Sequence, residues 1–527
     1  MKKTVYTLKF VLLLIAVCVQ WNQGVYAQKK VAVVLNDAID ITTLQEGYRK
    51  KTYSIEEITQ AYLDRIQAVD KNGSQLNSVL TINPDAIAIA KALDKELKAG
   101  KWRGPLHGVP VLLKDNIDTK DKMPTTAGSR ALANSFPLED SFVAQKLREA
   151  GAVIIGKTNL SEWANFRGAP STSGWSGLGG QTKNAYDVTR NPCGSSSGSA
   201  VAVAANLALF AIGTETNGSI VCPAHANGIV GLKPTVGLIS RGGIIPISFT
   251  QDTAGPMTRT VKDAAIVLGW LTGVDSRDSK TAASATMAAK DYASALDSNS
   301  LKGKRIGVYV GVNGKNKEVD ALYQKAIEDM KAQGATLVEI PEITPPEVNM
   351  QSFTVMLYEY KQGLNDYFKS LGPNAAIKSV DELIEFNKKD PVELKYFNQL
   401  YLEIAQGKTD LNTEEYKKAL AALRSNSQEK GIDKVMNDFK IDAIIAPTGT
   451  PAWVTDLKKG DQFTFGTSGP AAHSGYPSIT VPMGYVEGLP VGISFVGKAW
   501  SEAALLNLAY AYEQNTKHRH APSLIGN

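Results

Sequence analysis

The chain has 527 residues, of which 43% are hydrophobic and 21% charged, a globular composition long enough to bury a large core. Its 57 lysines and arginines against 52 acids give a formal net charge of +5. Lys2, Lys3 and Lys9 supply three of those charges, so the rest of the chain carries only about +2, which excludes the concentrated basic surface that nucleic-acid binding requires.

Lys2 and Lys3 precede the apolar run Phe10–Val19, and Val25-Tyr26-Ala27 offers small residues for cleavage. This pattern predicts a signal peptide over residues 1–27 and export to the periplasm or medium. The run is too short to anchor a soluble body in a bilayer, and Val17 before Cys18 fits a lipoprotein site poorly. Residues 28–527 are read as a single domain. They retain two cysteines, Cys193 and Cys222. Export permits a disulfide between them, but two buried thiols are expected, because a chain of this length needs no covalent staple.

Ser54-Ile-Glu-Glu57 is a capping box, and Ile55, Ile58, Tyr62, Ile66 and Val69 recur at helical spacing, predicting an amphipathic packing helix. A second helix is expected from about Pro84 to Leu97, ending at Gly100. The short apolar strand Val109–Leu113 then delivers Lys114, to be weighed against a snorkelling surface lysine. Glu139–Ala150 reads as a helix and Val153–Ile155 as a strand. Gly151–Thr158 matches the phosphate-loop pattern GxxxxGK[ST], but its centre is apolar and β-forming where a phosphate cradle is polar and glycine-rich, so the match is read as accidental. The loop Gly168–Gln181 is expected to form a pocket wall.

The stretch Asn191–Pro223 sets two glycine–serine turns, Gly194–Ser199 and Thr214–Ser219, around an alanine-rich apolar segment. Such turns present hydroxyls and bare N–H groups to a ligand. A flexible linker is the bland alternative, but the apolar Ala200–Ile212 that follows is core. Gly194–Gly198 also satisfies G-x-S-x-G, which would make Ser196 a nucleophile, yet that elbow needs a strand before it and Ala185–Pro192 is polar and ends in proline.

Beyond Pro223 come short apolar pieces broken by glycine and proline, as in a sheet with tight connections. From about Asp275 to Lys440 the sequence is charged and helix-forming, with strands near Arg305–Val310 and Thr336–Ile340. Asp442–Pro447, Pro477–Pro482 and Pro490–Val496 return to β character before a final helix over Ser501–Asn515. No internal repeat is found. Alternating helices and strands predict an α/β fold with a large central mixed sheet sandwiched by helices.

GPLHGVPVLLKDNID, PCGSSSGSAVAVAA, GTETNGSIVCPA, GLKPTVGLISRGG, QDTAGPM and YPSITVP, in that order, resemble the amidase signature family of serine hydrolases. The resemblance covers about residues 53–262 and 441–521, and leaves 275–440 weakly marked. Ile220-Val-Cys-Pro, where many relatives place an arginine after the isoleucine, brings the chain nearest the peptide-amidase group.

The resemblance implies hydrolysis of a linear carboxylic amide, peptide C-terminal amides included, through a Ser–Ser–Lys triad and an acyl-enzyme. Ser219 would be the nucleophile, Ser195 the bridging serine behind a cis Gly194–Ser195 bond, and Lys114 a base that must be neutral to act. Ser196 would hold the amine, and Asp115 is expected to face away from it. Backbone N–H groups of Thr216, Asn217, Gly218 and Ser219 would form the oxyanion hole, with Asn217 standing where most relatives have glycine. No metal and no cofactor are expected, the partner being a small-molecule or peptide amide. Two other classes stay open: a hydrolase using Ser196 with His225 or His473, and a non-catalytic binding protein on the same scaffold. A transamidase subunit serving tRNA is disfavoured by the export signal.

Overall fold

The computed structural model describes Asn36, residues 38–289 and residues 291–526, so the residues read as a signal peptide lie outside it. Among the described residues no helix is long and apolar enough to cross a membrane.

The strands in chain order are β1 (Val79–Ile82), β2 (Pro110–Lys114), β3 (Val153–Thr158), β4 (Trp175–Ser176), β5 (Gly180–Gln181), β6 (Phe210–Glu215), β7 (Val230–Lys233), β8 (Thr253–Thr258), β9 (Arg305–Tyr309), β10 (Thr336–Ile340), β11 (Ala443–Pro447), β12 (Ser478–Val486) and β13 (Leu489–Val496). β4 and β5 form a small ribbon. The other eleven make one sheet in the order β1-β3-β2-β6-β8-β7-β12-β13-β11-β9-β10. It is mixed: β2 runs parallel to β3 and β6, β9 parallel to β10 and β11, and the pairs from β6 through β8, β7, β12 and β13 to β11 are antiparallel. Its central strands are buried on both faces and read as continuous apolar runs, as a sheet covered by helices requires.

The helix Ile55–Arg65 carries the expected capping box, with Ser54 and Glu57 each bonded to the other's backbone N–H. The second helix spans Ala86–Lys98, and Gly100 beyond it has φ +76°. Val153–Thr158, the supposed phosphate loop, is a fully buried strand. Its Lys157 donates to Ile117 O at 2.7 Å and Thr125 Oγ1 at 2.9 Å, and holds two backbone segments together.

The alanine-rich stretch begins as the helix Ser197–Ala204, buried at every position and so apolar all round. A Cβ on Gly198 would lie 2.3 Å from Ser78 O and 2.5 Å from Asn159 O, so glycine is needed for this helix to reach the chain beside it. The charged middle region supplies β9, β10 and several helices, the longest being Val348–Ser370.

Candidate active site

β2 and β6 are parallel neighbours, with Leu113 opposite Ile212. Their carboxyl ends therefore emerge together, placing Lys114 beside Thr214. Lys114 is completely buried, and its Nζ lies 2.7 Å from Ser195 Oγ, 2.8 Å from Thr214 Oγ1 and 3.2 Å from Thr214 O. Burial pushes its pKa from 10.5 down to about 7, against the pull of the Asp252 and Glu215 carboxylates. Its three oxygen partners match the three N–H donors of an ammonium, and loss of one proton would leave a lone pair for the Ser195 hydroxyl.

Ser195 follows a cis peptide bond from Gly194 and is also wholly buried. Its turn meets the Ser219 turn through Ser196 N, which donates to Ser219 O at 3.1 Å. The Ser196 hydroxyl does not reach the amine as expected. It donates to Thr214 O at 3.1 Å and accepts from Thr214 N at 3.2 Å, steadying Thr214, which holds the lysine in its place. Asn116 Nδ2 adds a bond to Thr214 Oγ1 at 3.0 Å. The Asp115 carboxylate turns to Thr126, and the lysine it influences is Lys157.

The expected oxyanion set needs one correction. Gly218 N donates to Glu215 Oε1 at 2.9 Å, while Glu215 Oε2 takes Ile220 N at 2.7 Å and Val221 N at 3.0 Å. The buried carboxylate thus ties the turn back on itself and consumes one of the four donors. Among the described residues, no hydrogen bond engages the N–H groups of Thr216, Asn217 or Ser219. The positive φ in this turn, +82°, belongs to Gly218, so Asn217 needs no unusual dihedral. Asn217 instead accepts from Ser468 Oγ at 2.7 Å and approaches His473 Nε2 at 3.4 Å.

A cleft of about 430 Å³ opens over these turns. Ser173 of the predicted wall lines it, but Trp175 does not, being buried against Arg167 and Phe397. The middle region contributes Asn349, and most of the rest comes from residues 448–469, including Trp453, Asp461, Phe463 and Phe465, which sequence reasoning left unassigned. Asp461 clasps the two walls: its carboxylate accepts from Ser173 N and Oγ and from Trp453 Nε1. Behind the Ser173 loop, Arg167 donates from Nη1 to Glu162 Oε1 at 2.6 Å and Glu393 Oε2 at 3.1 Å, all three being buried.

The two cysteines are joined by a disulfide, with Cα atoms 5.9 Å apart, and are not the free thiols expected. Each flanks one of the serine turns, and the fold that brings the turns together brings the sulfurs together. His225 and His473 are buried, which pushes both imidazoles down to about 4. Neither is a partner of Ser196, so the geometry gives the histidine-dependent scheme no base.

A family model described as Amidase matches residues 57–506. The solved native peptide amidase from Stenotrophomonas maltophilia is 47% identical, with a TM-score of 0.87 over 92% of this chain and 98% of that one. A peptide amidase PAM in complex with the competitive inhibitor chymostatin is also 47% identical, at TM-score 0.89 over 92% and 99%. An amidase family protein from Bacillus anthracis is 38% identical, at TM-score 0.87 over 95% of each chain. With a mixed sheet and buried serine turns like these, and a match across most of its length, the chain belongs to the amidase signature family of enzymes, which hydrolyse the carbon–nitrogen bond of amides.

Proposed function

We propose that the protein is an exported amidase that removes the terminal amide of short peptides, with Ser219 as nucleophile, Ser195 as proton bridge and Lys114 as base. The observation that carries this reading is the Lys114 amine, fully buried, with the Ser195 hydroxyl 2.7 Å away and Thr214 occupying its other positions. With its pKa lowered to about 7, the amine is largely neutral in mildly alkaline solution and can accept a proton.

Lys114 takes the Ser195 proton as Ser195 takes that of Ser219, whose Oγ bonds to the amide carbon. Thr216, Asn217 and Ser219 N–H groups meet the carbonyl oxygen as it becomes negative. The proton returns through Ser195 to the departing nitrogen, ammonia leaves, and water cleaves the resulting ester by the same relay. A peptidic acyl group suits the cleft, whose volume and aromatic wall of Trp453, Phe463 and Phe465 exceed what a small aliphatic amide would fill. Export is supported by the pattern of residues 1–27 and by the disulfide, a bond that persists in oxidising compartments.

A phosphonyl-fluoride serine probe followed by peptide mass mapping tests the assignment without any choice of substrate. Label on Ser219, lost in Lys114→Ala, is expected, together with ammonia release from amidated dipeptides by the wild type. Label on Ser196, or full turnover by Lys114→Ala, overturns it.

A further inference from the structure

We propose that the Cys193–Cys222 disulfide is a positioning element of the reaction, clamping the Ser195 turn to the Ser219 turn, so that a dithiol entering the cleft lowers turnover reversibly. The inference rests on the assignment of Ser195 and Ser219 above. Cys193 lies two residues before Ser195, and Cys222 three after Ser219. The hydrogen bonds between these turns converge on Ser196, whose N donates to Ser219 O at 3.1 Å and whose Oγ donates to Thr214 O and accepts from Thr214 N, and on their flanks Asn227 Nδ2 donates to Pro192 O at 3.0 Å. The disulfide is the covalent tie.

Each cysteine is also fixed to its own turn. Cys193 N donates to Asn191 Oδ1 at 2.8 Å, and Cys193 O accepts from Ser197 Oγ at 2.5 Å. Cys222 N donates to Gly218 O at 2.8 Å. Motion of either sulfur is therefore passed to the backbone that carries a reacting serine. The helix bearing Cys222, Val221–Ala226, has only six residues, and its start is held by Glu215, whose Oε2 accepts from Ile220 N and Val221 N, so the disulfide adds to that hold a tie to the other turn.

The bond is also within reach. Both cysteines line the cleft, and Cys222 is only partly buried. A dithiol thiolate attacks one sulfur, forming a mixed disulfide and releasing the other cysteine as a thiolate that takes up a proton. The second thiol of the reagent, deprotonated, then displaces the remaining cysteine sulfur and closes the reagent's own disulfide. The net change is two electrons and two protons moved from the dithiol to the cysteines, with no other reactant. The freed turns lose their covalent tie, and displacements of about 1 Å between reacting groups cost on the order of a hundredfold in rate.

The test compares wild type, wild type treated with dithiothreitol, and the Cys193→Ser/Cys222→Ser variant, all assayed for ammonia release from an amidated dipeptide at a temperature where circular dichroism shows the fold intact. Reduction and double substitution are each expected to lower kcat about tenfold or more with KM little changed. Reoxidation should restore the wild type and leave the variant unaffected. Water admitted to the loosened site should also move the acid limb of the pH profile upward, a change that a merely structural staple would not produce. Retention of kcat within about twofold, or loss of activity that tracks loss of the folded signal, overturns the proposal. Ser219→Ala in the oxidised chain separates the two readings. If it stays active the triad assignment fails, while the response of the wild type to dithiothreitol still reports on the bridge.

Discussion

Thr214→Val probes the base through its surroundings. Valine keeps the shape of threonine but removes the Oγ1 acceptor 2.8 Å from Lys114 Nζ, leaving Thr214 O and Ser195 Oγ in place. Hydrogen bonds to a charged group contribute about 1.5–3 kcal/mol and those between neutral groups about 0.5–1.5 kcal/mol, so the ammonium loses more than the amine, by roughly 1 kcal/mol. At 1.36 kcal/mol per pKa unit, that lowers the Lys114 pKa by about 0.7 from its value of about 7. In the proposed scheme the base acts when neutral, so activity rises with pH through this value. At pH 6, kcat/KM should therefore climb from about a tenth of its plateau in the wild type to about a third of it in the variant, and kcat/KM profiles from pH 5 to 9 report the free enzyme. Asn116 Nδ2 loses its 3.0 Å partner in the same change, so denaturant titration should show a stability loss of about 1–3 kcal/mol. Thr214→Ser should keep the limb near 7. A limb in Thr214→Val that stays at 7 or moves up would refute the view that this hydroxyl supports the protonated amine.

Lys114→Met should be inactive yet more stable than the wild type. A folded pKa of about 7 against 10.5 penalises the folded state by about 4–5 kcal/mol below pH 7, and the penalty fades as pH rises toward 10.5, so the gap in thermal midpoint should narrow over that window. Glu215→Ala strands three backbone N–H groups and should lower the denaturation midpoint by the equivalent of about 3 kcal/mol; an unchanged midpoint would count against its role in shaping the turn. In Gly213→Ala the new Cβ would lie 2.8 Å from both Ser196 Oγ and Met257 Sδ, so kcat should fall by about tenfold or more through displacement of the serine turn. His225→Phe should retain kcat within about fivefold, since an imidazole held near 4 is no base at working pH; loss of a hundredfold or more would restore the histidine scheme.

Much of this was legible in the sequence for local reasons. The capping box at Ser54, the apolar strand before Lys114 and the final helix are each written in contiguous residues whose period or polarity allows one local structure. The meeting of Lys114 with the two serine turns was expected from family motifs, and the parallel pairing of β2 with β6 that sets Lys114 beside Thr214 is a long-range choice that no local pattern expresses. Thr214 sat in plain view inside a motif, but a threonine at a strand end has many roles, and only the closeness of the lysine selects this one. The capture of Gly218 N by Glu215 depends on a side chain looping back over its own turn. The disulfide was weighed and set aside because a chain of this length needs no staple, and a separation of 29 residues says nothing about distance in space. Residues 448–469 escaped because a cleft wall of irregular backbone has no period to read.

The buried cluster of Glu162, Arg167 and Glu393 has a consequence for how such a protein can be recombined. Glu393 belongs to the weakly marked middle region, whereas Glu162 and Arg167 belong to the motif-bearing part; loss of Glu393 leaves Arg167 with Glu162 as its one carboxylate partner and strands the Arg130 N–H, which donates to Glu393 Oε1 at 2.6 Å. A chimera that imports the middle segment from a relative lacking an acid at position 393 would inherit that fault directly behind the Ser173 wall. A graft of the middle segment that carries its own glutamate there keeps the acceptor for Arg130 N and the second carboxylate for Arg167, and should be more stable than the same graft with alanine at 393.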